Sequence, residues 1–230
     1  MYKDKKISIV TPCYNEEDGI KIILEKIPDI VDEVVVVDNN CTDNTVEVAK
    51  SFGDKVVIVR EEKKGYGIAY KAGFKAATGD VIVTMDADGT YPPESISLLL
   101  YILFEEKVDF ITARRWHSKS GKSKSFLRVF GNIILSTVLA ALFLRVIVDS
   151  QSGMWVFKKE VLDRVKLTSN GMAFSQELKI EAFTNRTIEA IEIPIYYGER
   201  VGESKLNLWS DGFGNLLFLF KKRIMDRRIL

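Results

Sequence analysis

Val81-Ile82-Val83-Thr84-Met85-Asp86-Ala87-Asp88-Gly89-Thr90-Tyr91-Pro92-Pro93 joins a short apolar run to two carboxylates two residues apart. A run of this length and composition reads as a buried parallel strand. Open α/β sheets bind ligands beyond the carboxyl ends of their strands. Asp86 and Asp88 would stand there, where hard carboxylate oxygens hold Mg²⁺ or Mn²⁺ against a diphosphate. The competing reading is a solvated turn, since Asp, Gly and Pro are turn formers. The rest of the chain decides between the two.

Working outward, strand and helix patterns alternate. Lys6–Val10, Glu33–Val37, Lys55–Val59 and Asp109–Thr112 read as further strands. Between them, helices run from Asn15 to about Lys26, from a Thr42 or Asp43 cap to Lys50, from Gly67 to Ala77 and from Pro93 to about Glu106. Acids Glu16, Glu17 and Asp18 suit a positive helix start, Pro93 a first turn, and Gly53 a helix end. This order argues for an α/β fold with a Rossmann-like, mostly parallel sheet flanked by helices and joined by right-handed crossovers. After a polar loop from His117 to Ser125 the pattern changes. An apolar helix from Phe126 to Leu144 is followed by strands near Trp155–Phe157 and Ile188–Tyr196, a helix near Gln176–Phe183 and an amphipathic stretch from Leu208 to Leu230. No Pro/Gly/Ser-rich linker separates two independent domains.

The 230 residues carry a net charge of +1, so no global basic field points to nucleic acid. Basic residues cluster locally, at Lys119, Lys122, Lys124 and Arg128, and again at Lys221, Lys222, Arg223, Arg227 and Arg228. Such clusters beside apolar helices suit anionic lipid or phosphate, or else a solvated helix face. The longest apolar stretch, Ile133–Leu144, spans roughly 18 Å as a helix against about 30 Å of bilayer core, and reads as buried or interfacial. Cys13 and Cys41 lack a C-x-x-C partner and read as free thiols in a reducing compartment. The single His117 excludes a histidine-rich metal site.

Four strand ends carry polar clusters that would face one crevice: Thr11–Glu17, Val37–Thr45, Lys63–Gly67 and the D-x-D. A nucleotide needs an apolar wall, a hydrogen-bonding edge and countercharge. Pro12 and Tyr14 can supply the wall, and Asp38 can accept from the ring N–H of a uracil or guanine. Lys64-Gly65-Tyr66-Gly67 lacks P-loop spacing and is either a phosphate cradle or a plain loop.

Pro12-x-Tyr14-Asn15-Glu16-Glu17, Val37-Asp38-Asn39, Gly73-Phe74-x-x-Ala77-x-Gly79-Asp80 and Met85-Asp86-Ala87-Asp88-x-x-x-Pro92-Pro93-Glu94 together resemble family 2 glycosyltransferases of the GT-A fold. Arg128-x-x-Gly131-Asn132, Asp149–Met154 and Arg200–Leu206 resemble the dolichyl-phosphate (polyprenyl-phosphate) sugar synthases within them. The resemblance implies one GT-A domain over about 1–206, with a nucleotide-sugar half to about 115 and an acceptor half beyond, and a C-terminal amphipathic helix over 207–230 facing a membrane or a partner. It implies that Pro12, Tyr14, Glu16 and Asp38 contact the nucleoside; Lys64, on the cradle reading of its loop, would be a further substrate contact. Asp86, Ala87 and Asp88 would contact Mg²⁺ or Mn²⁺ and diphosphate. Arg114 or Arg115, with Arg128, would receive the lipid phosphate; Ser152 belongs to the same acceptor motif. Arg200 and Lys205 would close over the phosphates. Thr90 stands where relatives often carry Gln as a metal ligand, and Asn39 where a second acid is common.

The implied chemistry is inverting transfer of a hexose from a UDP- or GDP-sugar to dolichyl or another polyprenyl phosphate. The expected location is the cytoplasmic face of the cell or endoplasmic reticulum membrane, with a homo-oligomer or membrane subunit as possible company. The pocket around Asp38-Asn39 leans towards a UDP-sugar. A soluble hydroxyl acceptor is the runner-up; it needs a base, for which Glu177 is the candidate, unless Glu177 is simply a first-turn acid. Arg115-Trp116 lacks the Gln of the Q-x-x-R-W motif of processive synthases. A nucleotidyltransferase would need a glycine-rich loop where Thr11–Asn15 stands, and a non-enzymatic scaffold leaves the D-x-D unexplained.

Overall fold

Valine and isoleucine runs build one seven-stranded sheet in the computed structural model, which describes residues 1–117, 126–202 and 208–226. The strands are β1 (Ile7–Cys13), β2 (Glu33–Asp38), β3 (Val56–Arg60), β4 (Val81–Thr84), β5 (Phe110–His117), β6 (Trp155–Lys158) and β7 (Ala190–Tyr197), in the order β3-β2-β1-β4-β6-β5-β7. The helices are α1 (Glu17–Glu25), α2 (Thr45–Lys50), α3 (Tyr66–Ala76), α4 (Ser95–Glu105), α5 (Phe126–Phe143), α6 (Phe174–Thr184) and α7 (Leu208–Met225).

β1 pairs in parallel with β2 on one side and β4 on the other, so the strand order reverses beside it. That reversal opens a crevice at the carboxyl ends of β1 and β4. Alternating side chains feed two cores. Ile7 and Ile9 pack with Ile20, Leu99 and Leu103 on the α1/α4 face. Val10, Val35 and Val37 pack with Tyr70, Phe74 and Phe174 on the α3/α6 face. β2 is buried at every position, as a central parallel strand must be.

The sheet is not wholly parallel. β6 runs against both neighbours, pairing Val156 with Val83 and with Ile111. Because β6 is reversed, its starting end lies at the carboxyl ends of β4 and β5. The turn Asp149–Gly153, which feeds β6, is therefore delivered to the crevice. β5 also continues to His117, five residues past the expected stop at Thr112, because it gains β7 as a parallel partner along its whole length. The loop that carries the D-x-D begins at Met85, one residue earlier than a strand reading of Met85 implies, since β4 ends at Thr84.

The third apolar cluster joins Leu135, Leu139 and Phe143 of α5 to Ile180 of α6 and Leu219 of α7. Charge completes this anchorage. Lys222 is buried, with Nζ 3.0 Å from Glu177 Oε1 and 2.6 Å from Glu181 Oε1. Glu177 is fully buried and also accepts from the backbone N–H groups of Thr168 and Ser169 and from the Thr168 hydroxyl. The C-terminal basic cluster is thus divided: Lys221 is exposed, whereas Lys222 is a core residue. Among the described residues no helix is long and apolar enough to cross a membrane.

Removing one member of a buried ion pair strands its partners, at a cost of about 3–5 kcal/mol. Lys222→Met is therefore expected to lower unfolding stability by that order in urea denaturation, with Lys221→Met as the near-neutral control.

Candidate active site

The first strand end is held open by a local exchange of hydrogen bonds. Asn15, in the left-handed region at φ 56°, places its Oδ1 2.7 Å from the Thr42 N–H. Asp43 accepts from the N–H groups of Glu17 (3.3 Å) and Thr45 (3.1 Å), so this carboxylate ties the starts of α1 and α2 together. Tyr14 is left 37% exposed, and Lys64 Nζ lies 4.9 Å from its ring centre and 3.2 Å from its hydroxyl. Pro12 lies beside it on β1, paired in register with Val37.

Asp38 ends β2, opposite Arg60 on β3. It accepts from the Cys41 N–H at 2.8 Å and pairs with the Arg60 guanidinium. Burial works to raise its pKa, but these partners win and hold the carboxyl below its ordinary value. Asn39 does something a second acid could not. Its Nδ2 donates to the carbonyls of Glu61 and Lys63, and its Oδ1 accepts from the Gly65 N–H. The amide therefore clamps the 61–65 loop that carries Lys64.

At the centre, α1 packs on the D-x-D backbone because residue 19 has no side chain. A Cβ on Gly19 would fall 2.1 Å from the Ala87 carbonyl oxygen. Ala87 is buried by this contact. Asp88 is also buried and accepts from the Thr90 N–H at 3.0 Å and the Thr90 hydroxyl at 2.6 Å. Thr90, expected as a metal ligand, spends its hydroxyl on Asp88. Asp86 accepts from the Tyr66 hydroxyl at 3.1 Å. On its other flank a Cβ at Gly153 would lie 2.7 Å from Asp86 Oδ2 and 2.7 Å from the Tyr66 oxygen. Burial and the neighbouring Asp88 push Asp86 up to about 7, against the Tyr66 hydroxyl, Arg115 and Arg200.

Two arginines flank the pair. Arg115 reaches Asp149 with Nε and Nη2, each at 2.7 Å, a bidentate contact at the foot of the turn. Burial raises the Asp149 pKa, but Arg115 overrides it and draws the carboxyl down to about 2. Arg200 bridges Glu16 Oε1 (2.7 Å) and Asp88 Oδ2 (2.8 Å). Its segment is tied down by Gly198 N–H to the Thr90 carbonyl and Val201 N–H to the Asp88 carbonyl. Arg114 is half-buried and alternates to the opposite face of β5 from Arg115.

Pro12, Tyr14, Glu16, Asp38, Lys64, Asp86, Asp88, Arg115 and Arg200 thus gather along one row of strand ends. Two expected contacts do not reach it. Ser152 is fully buried, its hydroxyl against Thr112 and Lys179, because the turn folds it inward. Glu177 is fully buried and spent on Lys222, Thr168 and the Ser169 N–H. Arg128 lies in α5 with its side chain outside the described atoms, and Lys205 lies outside the described residues. Tyr66, Asp149 and Gly153 were not singled out from sequence, although they sit inside stretches quoted above for other reasons. The fully buried Lys179 carries no sequence signal at all.

The donor set fits a divalent cation. Two acids share a nearly enclosed site in which burial, with the charge of Asp88, raises the pKa of Asp86, a conflict that a cation resolves. Among the described residues no cluster of three or more Asp, Glu, His or Cys is poised as a metal site. Mg²⁺ commonly takes one or two carboxylates and completes its shell with substrate phosphates and water.

The family model described as "Glycosyl transferase family 2" matches residues 8–166. The chain belongs to that family. With it comes the enzyme class, glycosyl transfer. The transferase is 33% identical over 214 residues to the dolichyl-phosphate hexose transferase of Haloferax volcanii, covering 92% of this chain and 91% of that protein. It is 32% identical over 221 residues to the low-salt glycan biosynthesis hexosyltransferase Agl6 of the same organism, covering 93% of this chain but only 52% of Agl6, about half its length. Glucosyl-3-phosphoglycerate synthase from Mycobacterium tuberculosis, crystallised with Mn²⁺, UDP-glucose and phosphoglyceric acid, superposes with a TM-score of 0.76 at 21% identity, covering 96% of this chain and 80% of that one. The likeness is one of fold, and the transferase has the GT-A architecture.

Gly153→Ala forces the Asp86 carboxylate to move, and misplacement of that size costs about 10²-fold in turnover; kcat should fall by that order while circular dichroism is unchanged. Asp86 stays protonated towards neutrality, so a cation must displace its proton. Mn²⁺ binding, followed by electron paramagnetic resonance, should tighten as pH rises through about 7 and level off above it.

Proposed function

We propose that the transferase moves a hexose from a nucleoside diphosphate sugar, with a UDP-sugar favoured, to dolichyl or another polyprenyl phosphate at a membrane surface, with inversion at the anomeric carbon. The observation that carries this reading is the match to a dolichyl-phosphate hexose transferase across nearly the full length of both chains.

The site chemistry is consistent with it. The loss of Glu177 to the α7 anchor removes the base candidate that an alcohol acceptor would use. A phosphate monoester is already ionised, and its oxygen can attack the anomeric carbon as the bond to the nucleoside diphosphate breaks. Arg115, fixed by Asp149, would receive the acceptor anion. Asp38 would read the base edge, with Tyr14 and Pro12 as its wall and Lys64 beside it. Arg200 would turn from Asp88 to the diphosphate, and Lys205 would join it. Asp86 and Asp88 would hold Mg²⁺ or Mn²⁺. When bound, the cation supplies charge neutralisation to the departing diphosphate.

The approach to a lipid is supported by α7. Trp209, Phe213, Leu217, Phe220 and Ile224 follow at helical spacing and are all exposed, Trp209 by 80%. Leu127, Phe130, Ile133 and Ile134 of α5 are exposed as well, as is Lys221. Helices of this kind lie in the headgroup region with basic residues at its level. A peripheral association with the cytoplasmic face of a membrane follows from this reading. The second reading, a soluble anionic acceptor, draws on the phosphoglyceric acid bound by the structural neighbour.

Incubation with polyprenyl phosphate and a panel of UDP- and GDP-sugars, read by product mass, tests the proposal. A lipid-linked hexose is the expected product, and transfer to phosphoglycerate but not to lipid phosphate overturns it. Asp88→Ala should lose about 10²-fold or more of transfer in metal-replete buffer with the fold retained; near-wild-type activity would rule out the role given to the pair. Phe213→Glu with Leu217→Glu should abolish co-flotation with anionic liposomes, and unchanged flotation would remove α7 from the membrane contact.

A further inference from the structure

We infer that Lys179 is a positioning residue for both halves of the site, tying from beneath the turn Asp149–Gly153 that holds Arg115 on one side and Asp86 on the other. The inference rests on the reading of Asp86 and Asp88 as the metal-holding pair of a transferase.

Lys179 projects from α6 and is fully buried. Its Nζ donates to the Asp149 carbonyl at 2.9 Å, the Ser152 carbonyl at 2.8 Å and the Ser152 hydroxyl at 3.1 Å. Three oxygens of one turn thus surround the Lys179 nitrogen. Leu178 and Ile180, its neighbours on the helix, are ordinary core residues.

The turn faces the chemistry at both ends. Asp149 accepts from the N–H, Nε and Nη2 of Arg115, and from Asn132 Nδ2 at 3.1 Å. Gly153 donates its N–H to the Tyr91 hydroxyl at 2.7 Å and accepts from the Thr84 hydroxyl at 2.9 Å, which sets its α-carbon against the Asp86 carboxylate. Any sag of the turn moves Arg115 and Asp86 together. The nucleoside side, at Tyr14 and Asp38, rests on β1 and β2 and takes no support from it. Lys179 therefore separates from a general stabiliser by which constants it changes.

Lys179→Met and the milder Ser152→Ala, which leaves both carbonyl bonds, are compared with wild type. UDP binding without metal, Mn²⁺ binding in the presence of UDP, and the acceptor KM are measured, with thermal melting as the control for folding. Outer supports of metal sites typically cost 10–100-fold when lost, so Lys179→Met should weaken Mn²⁺ binding by about 10-fold or more and raise the acceptor KM similarly, with metal-free UDP affinity within about twofold. Ser152→Ala should move the same two constants in the same direction by less. A folded Lys179→Met with unchanged Mn²⁺ affinity and acceptor KM overturns the inference, as does a proportionate loss of metal-free UDP binding. Should Lys179→Met fail to fold, Ser152→Ala decides by the same criterion. If the wild-type chain glycosylates no lipid phosphate, the acceptor reading fails while the Mn²⁺ measurements still judge Lys179.

Discussion

Two carboxylates in a nearly enclosed strand-end pocket repel one another, and the arrangement around Asp86 and Asp88 can be understood as management of that repulsion. Arg200 covers Asp88, Tyr66 donates to Asp86, and the Asp86 carboxyl is pushed up to about 7. Charge of this kind in low dielectric costs stability when unmatched and yields strong binding when a cation and a diphosphate arrive. The close approach of Gly19 to Ala87 and of Gly153 to Asp86 keeps the pair from relaxing away from the conflict.

The reversed strand β6 is what allows one turn to serve two sides. A parallel strand in that place would deliver its starting end to the amino ends of β4 and β5, away from the crevice. Running antiparallel, β6 brings Asp149 to Arg115 and Gly153 to Asp86. The Arg115 side and the Asp86 side of the site are thereby built on one short piece of backbone.

A second polar layer ties α7 to this turn. Asn215 donates to Gln151 at 2.9 Å, and Gln176 donates to the Asn215 carbonyl at 2.7 Å. With Lys222 against Glu177 and Glu181, these contacts make α7 part of the domain rather than an appendage. An exposed apolar stripe on a helix so firmly docked is held at a fixed height relative to the cleft.

Local pattern was enough to determine most of the scaffold. Short, continuous apolar runs rich in β-branched residues mark β1 to β4, glycines and prolines mark their ends, and the polar clusters after each strand announce the crevice. Motif order was enough to determine the family. Tertiary structure alone decided the rest, because the relevant contacts join residues far apart in the chain. The antiparallel sense of β6 depends on pairing with two strands, one about 70 residues earlier. In α6 the stretch Ser175-Gln176-Glu177-Leu178-Lys179 reads as an ordinary half-solvated helix, yet all five residues are buried. Glu177 pairs with Lys222, 45 residues on, and Lys179 with carbonyls that exist as a target only after the turn has formed. Whether a charged side chain serves substrate, solvent or another buried charge is set by what folds against it, and no local pattern carries that information.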